Sequence, residues 1–599
     1  MNTHSRTLRA GVVGLGLGLV AGATSAQPAV LDHVPADNTA YVVMPDLGRF
    51  LRDLNGAMRP LRDAFGPQMA QAGAVVPLLQ LFANSPGLDG DGSAAVVIEL
   101  PEDGDLGAIS EEEAATLVTV LLPVTDVGAF RESPLIQGQS ERLADGVYRV
   151  DVQMAGTSVY MRELDGFAAF GADRDSIEGW DVRGELADHR GMLGEVGATS
   201  ALTSDALVVT PIGPFSDGFD EMLEQIEGQV AFAAAMAGGQ QGQVDAGFAV
   251  LREVVETFAR DAASGVIGVD IGAEGVSLDL LSNFKRGSEL AGIFDTAPGT
   301  DDLIGSLPEG PFVVAYAQNN TDGLVAQLME NAAEMLPEAS REEAQLNPTS
   351  SFTNNAAYSF MLAPSPAFGG AGLLSASVTY VRGDDKAAAY RETLRETDGR
   401  TVAGVKYETS YSPDTIEING VEVDGYSMNL DFQGAGPGGN SPLAQSPFAD
   451  PSVIMSLLYG PSGGPSGYVA SRGGGVYITG GKNSDLLAAS FEAADGDARL
   501  TDNAALRDVM NRLPDGRNAE VYVNLNAILE TVLSFAQMAG GAMDLPEIPD
   551  MPPLGAATAI MDGGVMIRLH VPMSVITTAG ELAEQFQGMG PGGPSGPAF

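Results

Sequence analysis

Apolar residues recur along this chain with two periods, and the two alternate. Ala40-Tyr41-Val42-Val43-Met44 is a short β-type run, followed by Leu47, Phe50, Leu51 and Leu54 at helical steps. Thr116 to Leu122 (TLVTVLL) predicts a buried strand leading into a helix over Val127 to Arg131. Val147 to Val152 and Ser158 to Arg162 alternate around Ala155-Gly156, and Gly166 to Gly171 adds a strand after the Asp165-Gly166 turn. Val244, Phe248, Leu251, Val255 and Phe258 fall on one face of a helix. Gly265 to Leu281 alternates on both sides of Ala273-Glu274-Gly275, which predicts a hairpin. A glycine in such a turn accepts the positive φ that tight hairpins need.

Gly- and Pro-rich stretches interrupt these elements at Gly434 to Pro451, Gly460 to Gly467, Met543 to Leu554 and from Gly588 to Phe599. They favour turns and coil, so Gly434 to Pro451 is expected to be a surface loop and the tail to be disordered.

The units themselves recur. VPADNTAYVVMPDLGRFLRDL from Val34 parallels LPEGPFVVAYAQNNTDGLVAQL from Leu307 and LPDGRNAEVYVNLNAILETVL from Leu513, with SDALVVTPIGPFSDGFDEML from Ser204 as a looser copy. TLVTVLLPVTDVGAFRES corresponds to LSASVTYVRGDDKAAAYRET, and the hairpin at Gly265 to Leu281 corresponds to Ala556 to Val571. These matches predict an α+β fold of two tandem diverged copies, residues 27–300 and 301–588. Each copy is expected to hold a mainly antiparallel sheet with helices packed on one face, because hairpin signals outnumber crossovers. A Gly/Pro-rich tail over 589–599 follows.

The amino terminus predicts export. Arg6 and Arg9 precede an apolar run from Ala10 to Ala23, and Thr24-Ser25-Ala26 supplies a small-residue cleavage site, so residues 1–26 form a signal peptide. The run falls short of the roughly 20 residues a membrane span requires. No later stretch is long enough either, so no transmembrane segment is expected in the mature chain.

With its signal, its VPADNTAYVVMPDL opening, its LP-turn-strand-helix units and its late DGGV hairpin, the chain resembles a group of exported bacterial proteins known only as a domain of unknown function. The resemblance implies export and a duplicated α+β body. It implies no catalytic residue.

Charge and composition narrow the partners. The formal net charge is -48, which repels nucleic acid and anionic surfaces. Lys285, Lys386, Lys406 and Lys482 are the only lysines. The absence of cysteine removes disulfides, thiol catalysis and zinc-thiolate sites, so core burial must hold the fold.

Candidate chemistry is sparse. After the signal, the histidines are His33, His189 and His570, and no two share a metal-ligand spacing. Gly460-Pro461-Ser462-Gly463-Gly464 fits G-x-S-x-G, but its prolines and glycines oppose the strand-turn-helix setting that a nucleophile elbow needs. Asp89-Gly90-Asp91, Asp103-Gly104-Asp105 and Asp495-Gly496-Asp497 offer oxygen ligands without completing a calcium loop. Trp180 is the one tryptophan, so no stacking platform for sugars is evident.

The sequence therefore nominates no catalytic or cofactor-binding residue, no cofactor, and leaves metal binding open. The expected function is a non-catalytic periplasmic or envelope protein that binds an unknown protein or small ligand, or serves as a scaffold. A carboxylate-based envelope hydrolase is the alternative. A buried carboxylate pair with raised pKa in a cleft would favour that second reading.

Overall fold

Runs of alternating apolar residues need partners on both edges, and the chain supplies them from its two halves. A computed structural model of the chain describes residues 28–35, 39–65, 84–100, 116–133, 136, 140–143, 146–152, 157–180, 189–212, 252, 255–295, 297–300, 302–323, 355–365, 372–402, 405–431, 451–538, 549–561 and 563–588. The signal, the tail, the loop from Gly434 to Asp450, the Asp103–Asp105 turn and most of the Val244–Phe258 helix lie outside the described residues.

The first half contributes β1 (Thr39–Met44), β2 (Ala94–Glu99), β3 (Val118–Pro123), β4 (Ser140–Arg142), β5 (Val147–Val152), β6 (Thr157–Glu163), β7 (Phe167–Gly171), β8 (Ala206–Pro211), β9 (Ala262–Gly272) and β10 (Gly275–Phe284). The second half contributes β11 (Val314–Asn319), β12 (Ala357–Leu362), β13 (Ser377–Arg382), β14 (Thr401–Val402), β15 (Val405–Ile418) and β16 (Val421–Asp431). It continues with β17 (Ser466–Arg472), β18 (Gly475–Thr479), β19 (Ala519–Val523), β20 (Leu554–Met561) and β21 (Gly564–Pro572).

Among the described residues all pair antiparallel in one sheet of 21 strands. From its first edge the order is β4-β5-β6-β7-β3-β2-β1-β8-β9-β10. It continues as β21-β20-β19-β11-β12-β13-β18-β17-β16-β15-β14. The seam between halves is β10 on β21, in register from Gly275 opposite Pro572 to Asn283 opposite Gly564. Outward from that seam the two sides follow the same order: a hairpin, the β8 or β19 strand, then β1-β2-β3 or β11-β12-β13.

This arrangement corrects the expected fold. The protein is one strand-rich sheet, not two modules that each carry helices on a single face. Neighbouring residues show why. Ala94 and Ala95 point to opposite faces, as adjacent strand residues must. Ala94 packs with Leu47 and Leu51 of the helix Leu47–Phe65 and with Phe130 and Met161. Ala95 packs with Tyr41, Leu121, Val266, Leu281 and Leu193, the last from the helix Arg190–Thr203. In the second half Tyr380 meets Leu487 and Phe491 of the helix Ser484–Asp495, whereas Val381 meets Leu394 of the helix Lys386–Thr397. At these strands helices pack on each face, so both sets of side chains there are apolar and a one-sided pattern was the wrong inference. At the seam, by contrast, Ile267, Leu280, Ile567 and Leu569 stay 39–45% exposed on one face.

Several local expectations agree with the elements seen. The helix Val127–Arg131 starts where Asp126 accepts a hydrogen bond from the Ala129 amide, an N-cap that satisfies one orphan donor. The hairpin β9–β10 turns at Ala273-Glu274. Among the described residues no helix is long and apolar enough to cross a membrane.

Candidate functional site

Several places in the sheet concentrate polar groups, the buried Glu520 with Arg517, Tyr522 and Thr300 among them, and two are candidates for a site. The first lies on the seam, on the face that carries Met566, Arg568 and His570. Cross-strand register sets Arg568 opposite Asp279, and His570 opposite Ser277, which in turn faces Asp270. Asp279 is 2% exposed and accepts from Arg568 Nε at 2.5 Å and Nη2 at 2.6 Å. Ser200 Oγ, from the overlying helix, donates to the same carboxylate at 3.0 Å. Gly268 makes room for this group, since a Cβ there would sit 3.1 Å from the Asp279 Cβ and 2.8 Å from Ser204 Oγ.

Two residues along, Ser277 Oγ and His570 Nδ1 are 2.9 Å apart, both nearly buried. Burial, then the charges of Arg512 and Arg568, push the His570 pKa down to about 4, so the imidazole is neutral at pH 7. A serine on a neutral histidine is half of a nucleophile–base arrangement. The third element is misplaced: Asp270 faces the serine across the ladder, whereas a triad places its carboxylate behind the histidine. The geometry is that of a buried polar lock.

At the edge of this cluster lies Asp205. It is 1% exposed, accepts from the Ile271 amide at 2.8 Å, and has Arg49 Nε 3.3 Å from its other oxygen. Burial is the main cause that pushes its pKa up to about 6, and the charge of Asp270 adds to it. Burial raises Asp270 as well. An acid whose folded pKa exceeds its unfolded value stabilises the fold below the unfolded pKa and loses that contribution as pH rises through the folded one. The Asp205 contribution should therefore fall between about pH 4 and pH 6, by at most about 3 kcal/mol for a shift of this size. We expect the difference in unfolding free energy between wild type and Asp205→Asn to decline across that window in urea titrations. A flat difference would remove the carboxylate's special status.

The second place is a groove of about 290 Å³ on the opposite face, between the helix Lys386–Thr397 and strand β15. Arg391, Leu394, Arg395 and Asp398 form one wall, and Thr409, Ser410, Tyr411 and Pro413 form the other. The Arg391 guanidinium lies 4.6 Å from the Tyr411 ring centre and donates to Asp424 at 3.1 Å, while the Tyr411 hydroxyl bonds the same carboxylate. Burial, then that hydrogen bond, pushes the Tyr411 pKa up to about 12. Thr409 Oγ1 ties the strand to the helix through the Leu394 carbonyl at 2.7 Å.

The candidates drawn from sequence fall elsewhere. Ser462 lies in a 3-10 turn that follows the helix Pro451–Tyr459 and precedes β17, the reverse of a strand-turn-helix elbow. Its hydroxyl lies within hydrogen-bond reach of the Tyr459 and Gly464 carbonyls, at 3.0 and 2.9 Å. The His33 ring meets that of Phe167 at 4.9 Å and a tilt of 56°, and His189, at the N-cap position of the Arg190–Thr203 helix, turns its Nε2 to the Val34 carbonyl at 3.2 Å. Asp495 pairs with Arg472. Among the described residues no three His, Asp or Glu side chains gather as a metal site. Sequence reasoning missed Ser277–His570, which are 293 residues apart, and the groove. No protein family, curated protein or solved structure matches this chain.

Proposed function

We propose that this is an exported, non-catalytic protein of the periplasm or envelope that binds a partner along the groove beside β15. The groove is the observation that carries the reading. Its walls combine a buried leucine, a guanidinium on an aromatic ring, and strand backbone, a mix suited to recognition rather than bond breaking. Ser277 bonds His570 and Asp279 bonds Arg568, with Ser200 also donating to Asp279 and Arg568 to the Arg512 carbonyl, so these groups are engaged within the fold. Export rests on the amino-terminal signal, and the duplicated-family reading rests on the resemblance of the opening and the repeated units.

The Asp205–Asp270 pair favours one second reading, carboxylate-based hydrolysis of an envelope polymer, because paired acids with raised pKa values suit acid–base work. Rescue of a deletion strain separates the two. In pooled growth competition, Asp205→Asn should restore fitness as fully as the wild type, and a groove plugged by Arg395→Trp should not. The reverse pattern would establish the hydrolase and discard the binding role.

A further inference from the structure

Strand β15 is the last long strand before the sheet's edge, and its outer side is only partly closed. Beyond it β14 pairs with Val405 and Lys406 alone. The following loop covers the next groups: the Tyr407 amide donates to the Arg400 carbonyl at 2.9 Å and the Gly399 amide to the Tyr407 carbonyl at 2.8 Å. The Thr409 amide donates to Asp398 Oδ1 at 2.8 Å. Alternate residues of a strand present their N–H and C=O to the same side. Tyr411 therefore offers both groups outward, with the Thr409 carbonyl beside them, and no described residue takes them up. The groove runs along this window.

We propose that the window and groove accept a short extended peptide segment as an added antiparallel strand, with carboxylate side chains facing the helix. A groove between a sheet edge and a helix is the geometry by which strand addition recognises peptides: backbone bonds supply affinity, and pockets for alternate side chains supply specificity. Residues 384–408 carry Lys386, Arg391, Arg395, Arg400 and Lys406 against Asp384, Asp385, Glu392, Glu396, Asp398 and Glu408, a net charge of -1, with Lys406 paired to Glu408 at 2.8 Å and Arg391 to Asp424. Two of the chain's four lysines stand there. Arg395 is 68% exposed, pairs among the described residues with Glu392, itself 59% exposed, at 3.1 Å, and lines the groove. Its guanidinium is positioned to meet a carboxylate on a strand laid beside Tyr411, and a charge-assisted contact of that kind selects acidic over basic segments. Lys406 and Pro413 bracket the window and hold its length to a few residues, as charges and prolines do on sheet edges.

This proposal rests on the groove as the binding surface, and its test is separate from the rescue assay. The probe is fluorescein-labelled Glu-Val-Glu-Val-Glu-Val amide, followed by anisotropy against the full mature chain. Saturable binding should be at least tenfold tighter than for Lys-Val-Lys-Val-Lys-Val, and at least fivefold weaker in Arg395→Glu. Of two N-methylated versions, blocked at the glutamate or at the valine nitrogens, one should lose binding and the other keep it, since a strand presents alternate amides to one neighbour. Arg395 is exposed, so its variant folds, and the N-methylated probes need no variant at all. Equal affinity for the two charges, no saturable binding, or binding indifferent to both N-methyl patterns would overturn the proposal. Self-association lost in Arg395→Glu but untouched by the peptide would assign the edge to a second copy instead. Failure of the peptides with the Arg395→Trp plug still abolishing rescue would remove strand addition and leave the groove's role standing.

Discussion

Replacing Arg568 by methionine should destabilise the protein by about 3–5 kcal/mol, the range for stripping one partner from a buried ion pair. Arg568 Nε and Nη2 both bond Asp279, and the side chains are 15% and 2% exposed. Without the guanidinium, Asp279 keeps the Ser200 hydroxyl as its remaining hydrogen bond from a side chain. A carboxylate left in that position must either stay charged at high cost or take up a proton. The pair also crosses the seam, linking β10 of the first half to β21 of the second. Its loss therefore weakens the one ladder that joins the halves among the described residues. Asp279→Leu combined with Arg568→Met removes both charges and should recover most of the loss, because two apolar side chains of similar size avoid the desolvation cost. Urea unfolding of the single and double variants measures both numbers. A single-variant loss below about 1 kcal/mol would mean that water reaches the pair and the seam is looser than described.

Phe491→Ala should cost a similar amount, about 3–5 kcal/mol, by opening a cavity in the largest core of the second half. Phe491 is 1% exposed on the helix Ser484–Asp495 and packs with Tyr380, Tyr477, Leu487 and Leu506. Its ring meets that of Tyr477 edge-on at 6.2 Å, and the Arg472 guanidinium lies 5.4 Å from its centre. The helix is held at its start by Asn483, whose side chain accepts from the Leu486 amide, and at its end by the left-handed Gly496. Fixed ends leave little freedom for the helix to collapse into the cavity, so relaxation should recover only a small part of the cost. Ile267→Ala is the control, since that side chain is 41% exposed on the sheet and should change stability by less than about 1 kcal/mol. Thermal unfolding of the two variants compares them directly. Equal effects would contradict the burial difference.

Local pattern carried much of the secondary structure. The alternation in Ala40–Met44, the hairpin about Ala273-Glu274 and the short helix over Val127–Arg131 all appear where hydrophobic period and turn residues place them. These elements are legible because period and turn chemistry act over a few neighbouring residues. The Gly460–Gly467 stretch departs from the expected coil: Gly460 to Ser462 form a 3-10 turn and Ser466 opens a strand, because Gly463 takes the left-handed conformation that ends the turn.

What the sequence determined by itself was element type, the absence of thiol chemistry and the acidic field, all properties of single residues or short windows. Tertiary structure alone decided how strands from both halves join. Nothing within Gly275–Phe284 specifies Gly564–Pro572 as its neighbour, because any apolar strand of matching length offers the same backbone groups. That choice brings Ser277 to His570 and Asp279 to Arg568. The groove was invisible for the same reason. An edge is defined by the order of strands around it, so the outward groups of Tyr411 follow from the pairing of β15 with β16 and β14 among the described residues and not from its surroundings in sequence.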